Sequence, residues 1–420
     1  MSANTIIQKT RANILIVIIV LVLFLTRLVR LDVPDTYYFD EVYHAFTAQA
    51  YSQNDPRGYE WWHTAPQGFA YEWLHPPLAK LIQAGSIWIF GDKPFWWRFP
   101  GVIFGTATGV LLYALGKRFF GRVVGLFALI FWTFDGLSFT ASRITMNDIF
   151  LTFWVVLAFY LFLSKKPAWQ IAFVAGLALA TKWSGFFAVG ILAVLWIVLR
   201  VKDKGSLREI IKGSVAFLVI PPLVYVVSYT QFFLQGHTLA QFYELHQQIW
   251  WYQNNLTATH PYSSVPLEWL FMMRPLYAFT QSVDDKVANI YLMGNPFLFW
   301  GGLAASIWVF ANLMIKRLKH RLEGEDITLG IILLGYLGMF IPWAFSPRIM
   351  FFYHYLPALP FMFLLLAWVL GRMWESGNRL LVIGYLSLVL LVFIFYYPHW
   401  SAFPVPQSID KFYYWFSSWR

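Results

Sequence analysis

The chain contains no cysteine in its 420 residues, which excludes a disulfide framework and any thiolate metal site. Charge is also scarce: 12% of residues are Asp, Glu, Lys or Arg, against 59% hydrophobic. An ordinary soluble domain is about a quarter charged and about half apolar, so this is not one. Acidic residues are the rarer sign, 21 against 31 Lys and Arg. No G-x-x-x-x-G-K-[ST] or G-x-G-x-x-G loop occurs, and no H-E-x-x-H or H-x-x-x-H spacing. Nothing therefore points to a nucleotide, a dinucleotide or a histidine metal centre, and no cofactor or metal is expected. Internal repeats and low-complexity linkers are lacking as well.

What is present is apolar length. A mean hydropathy of +0.56 with many runs of roughly 17–25 apolar residues describes an all-α polytopic membrane protein. A β-barrel would show alternating strands of roughly 10 residues instead. The first run, Ala12 to Val29, has no small-residue cleavage site after it and reads as a retained helix. Further spans are expected at 97–116, 121–139, 148–164, 168–181, 183–200, 211–230, 294–315, 327–345, 352–371 and 380–397, eleven in all. Around Lys182, 168–200 reads equally as two spans or as one broken helix. Two long loops, 31–96 and 231–292, interrupt the pattern within a single integral domain, 1–420. Leu78 to Phe90 is too short to span and reads as interfacial. Leu239, Phe242, Leu245 and Ile249 recur at helical spacing, which predicts a second interfacial helix.

Basic residues fix the orientation. Lys117-Arg118, Arg122, Lys165-Lys166, Arg200 through Lys212, and Lys316 through Arg321 fall in alternate short loops, as the positive-inside rule requires of cytoplasmic loops. The net charge of +10 follows largely from these loops, so nucleic acid is not expected as a partner. With the N-terminus cytoplasmic, both long aromatic loops and the tail face outside. The absence of cysteine fits the plasma (inner) membrane of a bacterium.

Polar residues then collect at the outer rim: Asp40, Glu41, His44, His75 and Lys80; Asp135, Arg143, Asn147 and Asp148; Lys182; His260 and Arg274; Arg348, Tyr353 and His354. Charge held so close to a bilayer core marks functional candidates. Guanidinium groups suit phosphate oxygens, and a carboxylate suits deprotonation of a hydroxyl. The competing reading is structural: Asp40 and Glu41 solvating a loop or pairing with Arg30, and Arg143 pairing with Asp148 or Asp135. A lipid-linked phosphate would need no nucleotide loop, because it reaches the rim from within the bilayer.

Several blocks resemble protein O-mannosyltransferases, membrane glycosyltransferases of the GT-C class. They are Phe39-Asp40-Glu41, His75-Pro76-Pro77-Leu78-Ala79-Lys80-Leu81, Trp97-Arg98-Phe99-Pro100, Ser142 through Asp148, Gly176 through Gly185, His260 through Ser264 with Arg274-Pro275, and Arg348 through Pro360. They occur in family order from about 35 to 375. The resemblance implies a GT-C fold and transfer of mannose from polyprenyl-phosphate mannose to Ser or Thr hydroxyls of translocated proteins, with inversion. Asp40 matches the catalytic carboxylate and Glu41 its neighbour. Arg143, Arg348, His354 and Lys182 are expected at the carrier phosphate, and His75, Asp148, His260 and Tyr353 around the substrate. Asn147 stands where the family pattern has Leu, and Ala79 where it has Gly. The 231–292 loop is too short for the β-trefoil MIR domain of eukaryotic members. A related enzyme moving another lipid-linked sugar to a lipid or glycan remains an alternative. A lipid-headgroup transporter would instead show ionisable groups at mid-membrane or inverted repeats. Monomer and dimer both stay open.

Overall fold

The computed structural model describes residues 3–420, with side chains described from Asn13 onward. In chain order the helices are α1 (Ala3–Leu28), α2 (Glu41–Ser52), α3 (Leu78–Phe90), α4 (Pro94–Phe120), α5 (Arg122–Thr133), α6 (Gly136–Ala141), α7 (Asp148–Leu163), α8 (Ala168–Thr181) and α9 (Gly185–Lys202). They continue as α10 (Leu207–Ser228), α11 (Thr230–Leu234), α12 (Leu239–Asn255), α13 (Pro266–Leu270), α14 (Pro296–Leu318), α15 (Gly324–Phe340), α16 (Leu359–Glu375), α17 (Arg379–Trp400) and α18 (Gln407–Asp410). Among the described residues, seven segments are long and apolar enough to cross a membrane: Pro94–Phe120, Gly185–Lys202, Leu207–Ser228, Pro296–Leu318, Gly324–Phe345, Phe352–Glu375 and Arg379–Trp400. Asn13–Leu28, Leu78–Phe90, Arg122–Thr133, Asp148–Leu163 and Ala168–Thr181 are apolar but shorter.

The expected run 121–139 is broken. Asp135 stops α5 and caps α6, accepting from Ser138 N at 2.7 Å and from Asn295 N at 3.0 Å. The stretch 168–200 is two helices, because Lys182 is extended (φ −157°, ψ 141°) between α8 and α9. Helix α12 forms where the amphipathic spacing predicts it. A capping box between Thr238 and Gln241 starts it, Leu245 and Ile249 are buried, and Trp250 and Trp251 are exposed.

Packing rests on close approach. Between apolar side chains and lipid there is little transfer energy to gain, so small residues that let backbones touch carry helix association. Helices α4 and α5 meet at Gly116 and Gly125, where a Cβ on Gly116 would lie 2.7 Å from Gly125 Cα. Among the seven long segments the one that ends in α16 is the most enclosed, with α16 packed against α5, α14 and α15 and Phe361 through Leu365 fully buried.

Beyond the interfacial helix that its spacing predicts, the second long loop also holds strands. Strands β1 (Leu276–Val283) and β2 (Lys286–Leu292) form an antiparallel hairpin, and β3 (Val405–Pro406) pairs with β2. Its turn carries Asp284 at φ 54°, a left-handed position that Asp tolerates better than most residues. The C-terminal tail is fastened to this region: Trp419 Nε1 donates to Met272 O at 2.6 Å and Asn289 Nδ2 to Asp410 Oδ1 at 2.8 Å.

Candidate active site

Asp40 is the N-cap residue of α2, yet its side chain makes no capping hydrogen bond. The carboxylate is therefore not consumed by its own helix. Phe39 before it adopts φ 50°, a region costing a non-glycine residue about 1 kcal/mol or more. That strain turns Asp40 toward Tyr353, whose hydroxyl donates to Asp40 Oδ2 from 3.5 Å. Tyr353 in turn lies under the Lys182 ammonium, 5.5 Å from the ring centre. Lys182 donates to Asp148 Oδ1 at 2.8 Å, and Asp148 is the first residue of α7, where the helix dipole favours its charge. The break between α8 and α9 is what brings Lys182 to this pair.

Burial raises the Asp40 carboxyl from 3.8 to about 7; Asp148 and Glu72 push the same way, while Lys182 and the Tyr353 hydroxyl oppose them. A general base works best when its pKa lies near the working pH, and this one does.

Beside Asp40 and Tyr353 lies a cavity of about 310 Å³ lined by His75, Lys182, Arg348 and His354, with Trp183, Trp250, Gln253, Asn254 and Trp343 among its walls. Arg348 donates to the Gln253 amide oxygen, its Nε is buried without a partner, and it forms no carboxylate pair among the described residues. Burial and the charges of Lys182 and Arg348 hold the His75 imidazole well below its usual range, so it is neutral. Two cations and a spare guanidinium donor make this a site for an anion. An apolar groove of about 580 Å³ shares Trp183, Ser184, Phe187, Trp250 and Trp343 with the cavity and continues along Leu179, Phe186, Pro222 and Val226.

Three expected site residues, Glu41, Arg143 and His260, are not brought to this cavity. Glu41 is fully buried in an ion pair with Arg98, not Arg30: Arg98 Nε donates to Oε1 at 2.8 Å and Nη2 to Oε2 at 2.7 Å, and Thr145 N donates to Oε1 at 3.0 Å. Arg143 meets neither Asp148 nor Asp135. Its Nη1 donates to Arg27 O and Val29 O, each at 2.7 Å, and its Nη2 to Arg30 O at 3.0 Å. Among the described residues Arg27 O and Val29 O have no backbone donor, while Arg30 O also accepts from Val33 N at 3.2 Å, so Arg143 clamps the chain entering Asp40. His260 is exposed and lies across Arg348 from the cavity, on a second cleft. Sequence reasoning missed the α12 face (Trp250, Gln253, Asn254) and Trp343. Their nearness depends on how α12 folds over the bundle, which no local pattern encodes. Lys80 is fully buried; it donates to the Glu72 carboxylate, to Glu72 O at 2.6 Å and to His75 O at 3.0 Å, so it fixes the His75 loop. Among the described residues no cluster of His, Asp and Glu could hold a metal ion.

A helical bundle with a carboxylate and a cationic cavity at one end of a lipid-sized groove is the arrangement of a membrane glycosyltransferase of the GT-C class. The structure of the Saccharomyces cerevisiae Pmt1-Pmt2 protein O-mannosyltransferase complex bound to the sugar donor matches with a TM-score of 0.82 at 15% identity, over 98% of this chain and 93% of that one. ArnT from Cupriavidus metallidurans bound to undecaprenyl phosphate matches with a TM-score of 0.58 at 16% identity, over 86% and 61%. At sequence level, the family model described as dolichyl-phosphate-mannose-protein mannosyltransferase matches residues 17–239. The C-terminal four-transmembrane region of protein O-mannosyltransferase matches residues 238–419. The chain belongs to the protein O-mannosyltransferase family. Among curated relatives, the polyprenol-phosphate-mannose–protein mannosyltransferase of Corynebacterium glutamicum is 25% identical over 83% of this chain and 81% of its own length. That of Mycolicibacterium smegmatis is 27% identical over 83% and 82%.

Proposed function

We propose that the protein transfers mannose from polyprenyl-phosphate mannose to Ser or Thr hydroxyls of translocated proteins, by a single inverting displacement on the extracytoplasmic face. The observation that carries this reading is the position of Asp40, an uncapped carboxylate raised to about 7, next to the cation-lined cavity that runs on into an apolar groove. Arg348 and Lys182 would hold the carrier phosphate, with His75 and His354 beside it, and the groove would take the first prenyl units. Asp40 would remove the proton from the acceptor hydroxyl as its oxygen attacks the anomeric carbon. The negative charge growing on the departing lipid phosphate would be met by Arg348 and Lys182, charge already in place before reaction. Asp148 orients Lys182, Tyr353 orients Asp40, and Glu41 and Arg143 hold the backbone that presents Asp40.

The test is a transfer assay. Purified protein incubated with radiolabelled polyprenyl-phosphate mannose and a Ser/Thr-rich peptide should yield covalently labelled peptide. Label on lipid or glycan alone would redirect the reading to another GT-C acceptor. Orientation is tested separately, since the absence of cysteine allows single thiols to be placed without background. Cysteines at Ser52, Ser263 and Ser408 should react with an impermeant thiol reagent from outside and one at Ser206 should not; the reverse pattern would put the site on the cytoplasmic face.

A further inference from the structure

Between α12 and α13 the chain runs through Leu256-Thr257-Ala258-Thr259-His260-Pro261-Tyr262-Ser263-Ser264. From Leu256 to His260 it has no regular secondary structure, and Thr257 and Thr259 are exposed. The hydrogen bonds of the described residues leave both hydroxyls free, while the segment's ends are pinned: Leu256 N donates to Tyr252 O at 3.1 Å and Ser264 N to Met350 O at 2.9 Å. The segment lines a cleft of about 690 Å³ that shares Pro347 and Arg348 with the cation-lined cavity. A run of rings then leads inward. His260 packs edge-on to Phe351 at 5.2 Å, Phe351 stacks with Tyr353 at 5.8 Å, and the Tyr353 hydroxyl touches Asp40. Free hydroxyls on an irregular, exposed segment, joined to Asp40 through the rings of His260, Phe351 and Tyr353, have the chemistry of the acceptor itself.

We propose that Thr257 and Thr259 are intramolecular acceptors, so that the enzyme mannosylates its own loop. This rests on the transfer reading above. In the step, the threonine Oγ1 bonds to the anomeric carbon as that carbon's bond to the phosphate oxygen breaks. The electron pair leaves with polyprenyl phosphate, and the hydroxyl proton goes to Asp40. The modified loop would carry a sugar on the wall of that cleft.

The experiment incubates the full-length protein with polyprenyl-phosphate mannose, without peptide. Chymotryptic fragments between Tyr252 and Tyr262 are then weighed for added hexose. One or two hexoses are expected, at a rate per molecule that does not change on dilution. The hexose should be lost in a Thr257→Ala, Thr259→Ala double variant, and also in Asp40→Asn. A parallel sample with a Ser/Thr-rich peptide separates the two levels. Labelled peptide with a bare loop overturns this proposal and leaves the transfer reading standing. Neither labelled overturns both. Loop labelling whose rate rises with protein concentration overturns the intramolecular route.

Discussion

Removing the Glu41 carboxylate distinguishes a structural acid from a catalytic one. Glu41 and Arg98 are both fully buried, and the carboxylate accepts from Arg98 Nε, Arg98 Nη2 and Thr145 N within 3.0 Å. In Glu41→Ala the guanidinium would keep only neutral carbonyls, those of Leu31, Pro34 and Thr36 at 2.7–3.0 Å. A buried charge stripped of its partner destabilises by ~3–5 kcal/mol, and here the loss falls on the segment that presents Asp40. Thermal unfolding in detergent should therefore shift clearly downward, and turnover should fall with the folded fraction. Replacing the pair together, Glu41→Leu with Arg98→Met, should recover part of the stability, because the uncompensated charge is gone. An unchanged unfolding temperature with transfer abolished would refute the reasoning and return Glu41 to the chemistry.

Other outcomes follow from the same geometry. Arg143→Ala leaves the buried Arg27 carbonyl without a partner, at ~1–3 kcal/mol, and removes a donor from Val29 O and Arg30 O. It should lower stability while donor affinity in the folded fraction stays within a few-fold, as donor titration would report. Arg348→Ala should do the reverse: loss of a charged hydrogen bond of ~1.5–3 kcal/mol weakens donor binding roughly tenfold to hundredfold, with unfolding unchanged. The pH profile of transfer should rise toward a plateau through the Asp40 value of about 7, since the base acts only when ionised. Linkage has the matching sign. A carboxyl raised in the folded protein favours the fold at low pH and loses that contribution as pH climbs through 7. Asp40→Asn should accordingly flatten stability between about pH 4 and 7.

Hydropathy made the apolar helices legible, and the break at Lys182 was visible as a charge inside an apolar run. The β1–β2 hairpin was not read, although Tyr277-Ala278-Phe279-Thr280 and Lys286-Val287-Ala288-Asn289-Ile290 flank an Asp-Asp turn. Strand pairing is a tertiary fact that hydropathy does not carry. At the site, the gathering of charged residues on one rim followed from topology, and Lys182, Arg348, His75 and His354 do line one cavity. Side-chain direction did not follow. Glu41 lies one residue from Asp40 but turns the opposite way, and Arg143 is consumed by carbonyls that end α1. Both partners are distant in sequence, so no local pattern could choose between a ligand contact and a backbone clamp.

The most direct test of Asp40 as the base measures donor binding and mannosyl transfer on one preparation of Asp40→Asn. Asn keeps the shape and cannot accept the proton at neutral pH. Turnover should fall by about 10²–10⁴, the usual worth of a general base, while polyprenyl-phosphate mannose still binds, because the cavity cations are untouched. Transfer within a few-fold of the unaltered protein would contradict the account and move the base elsewhere, with Asp148 next in line.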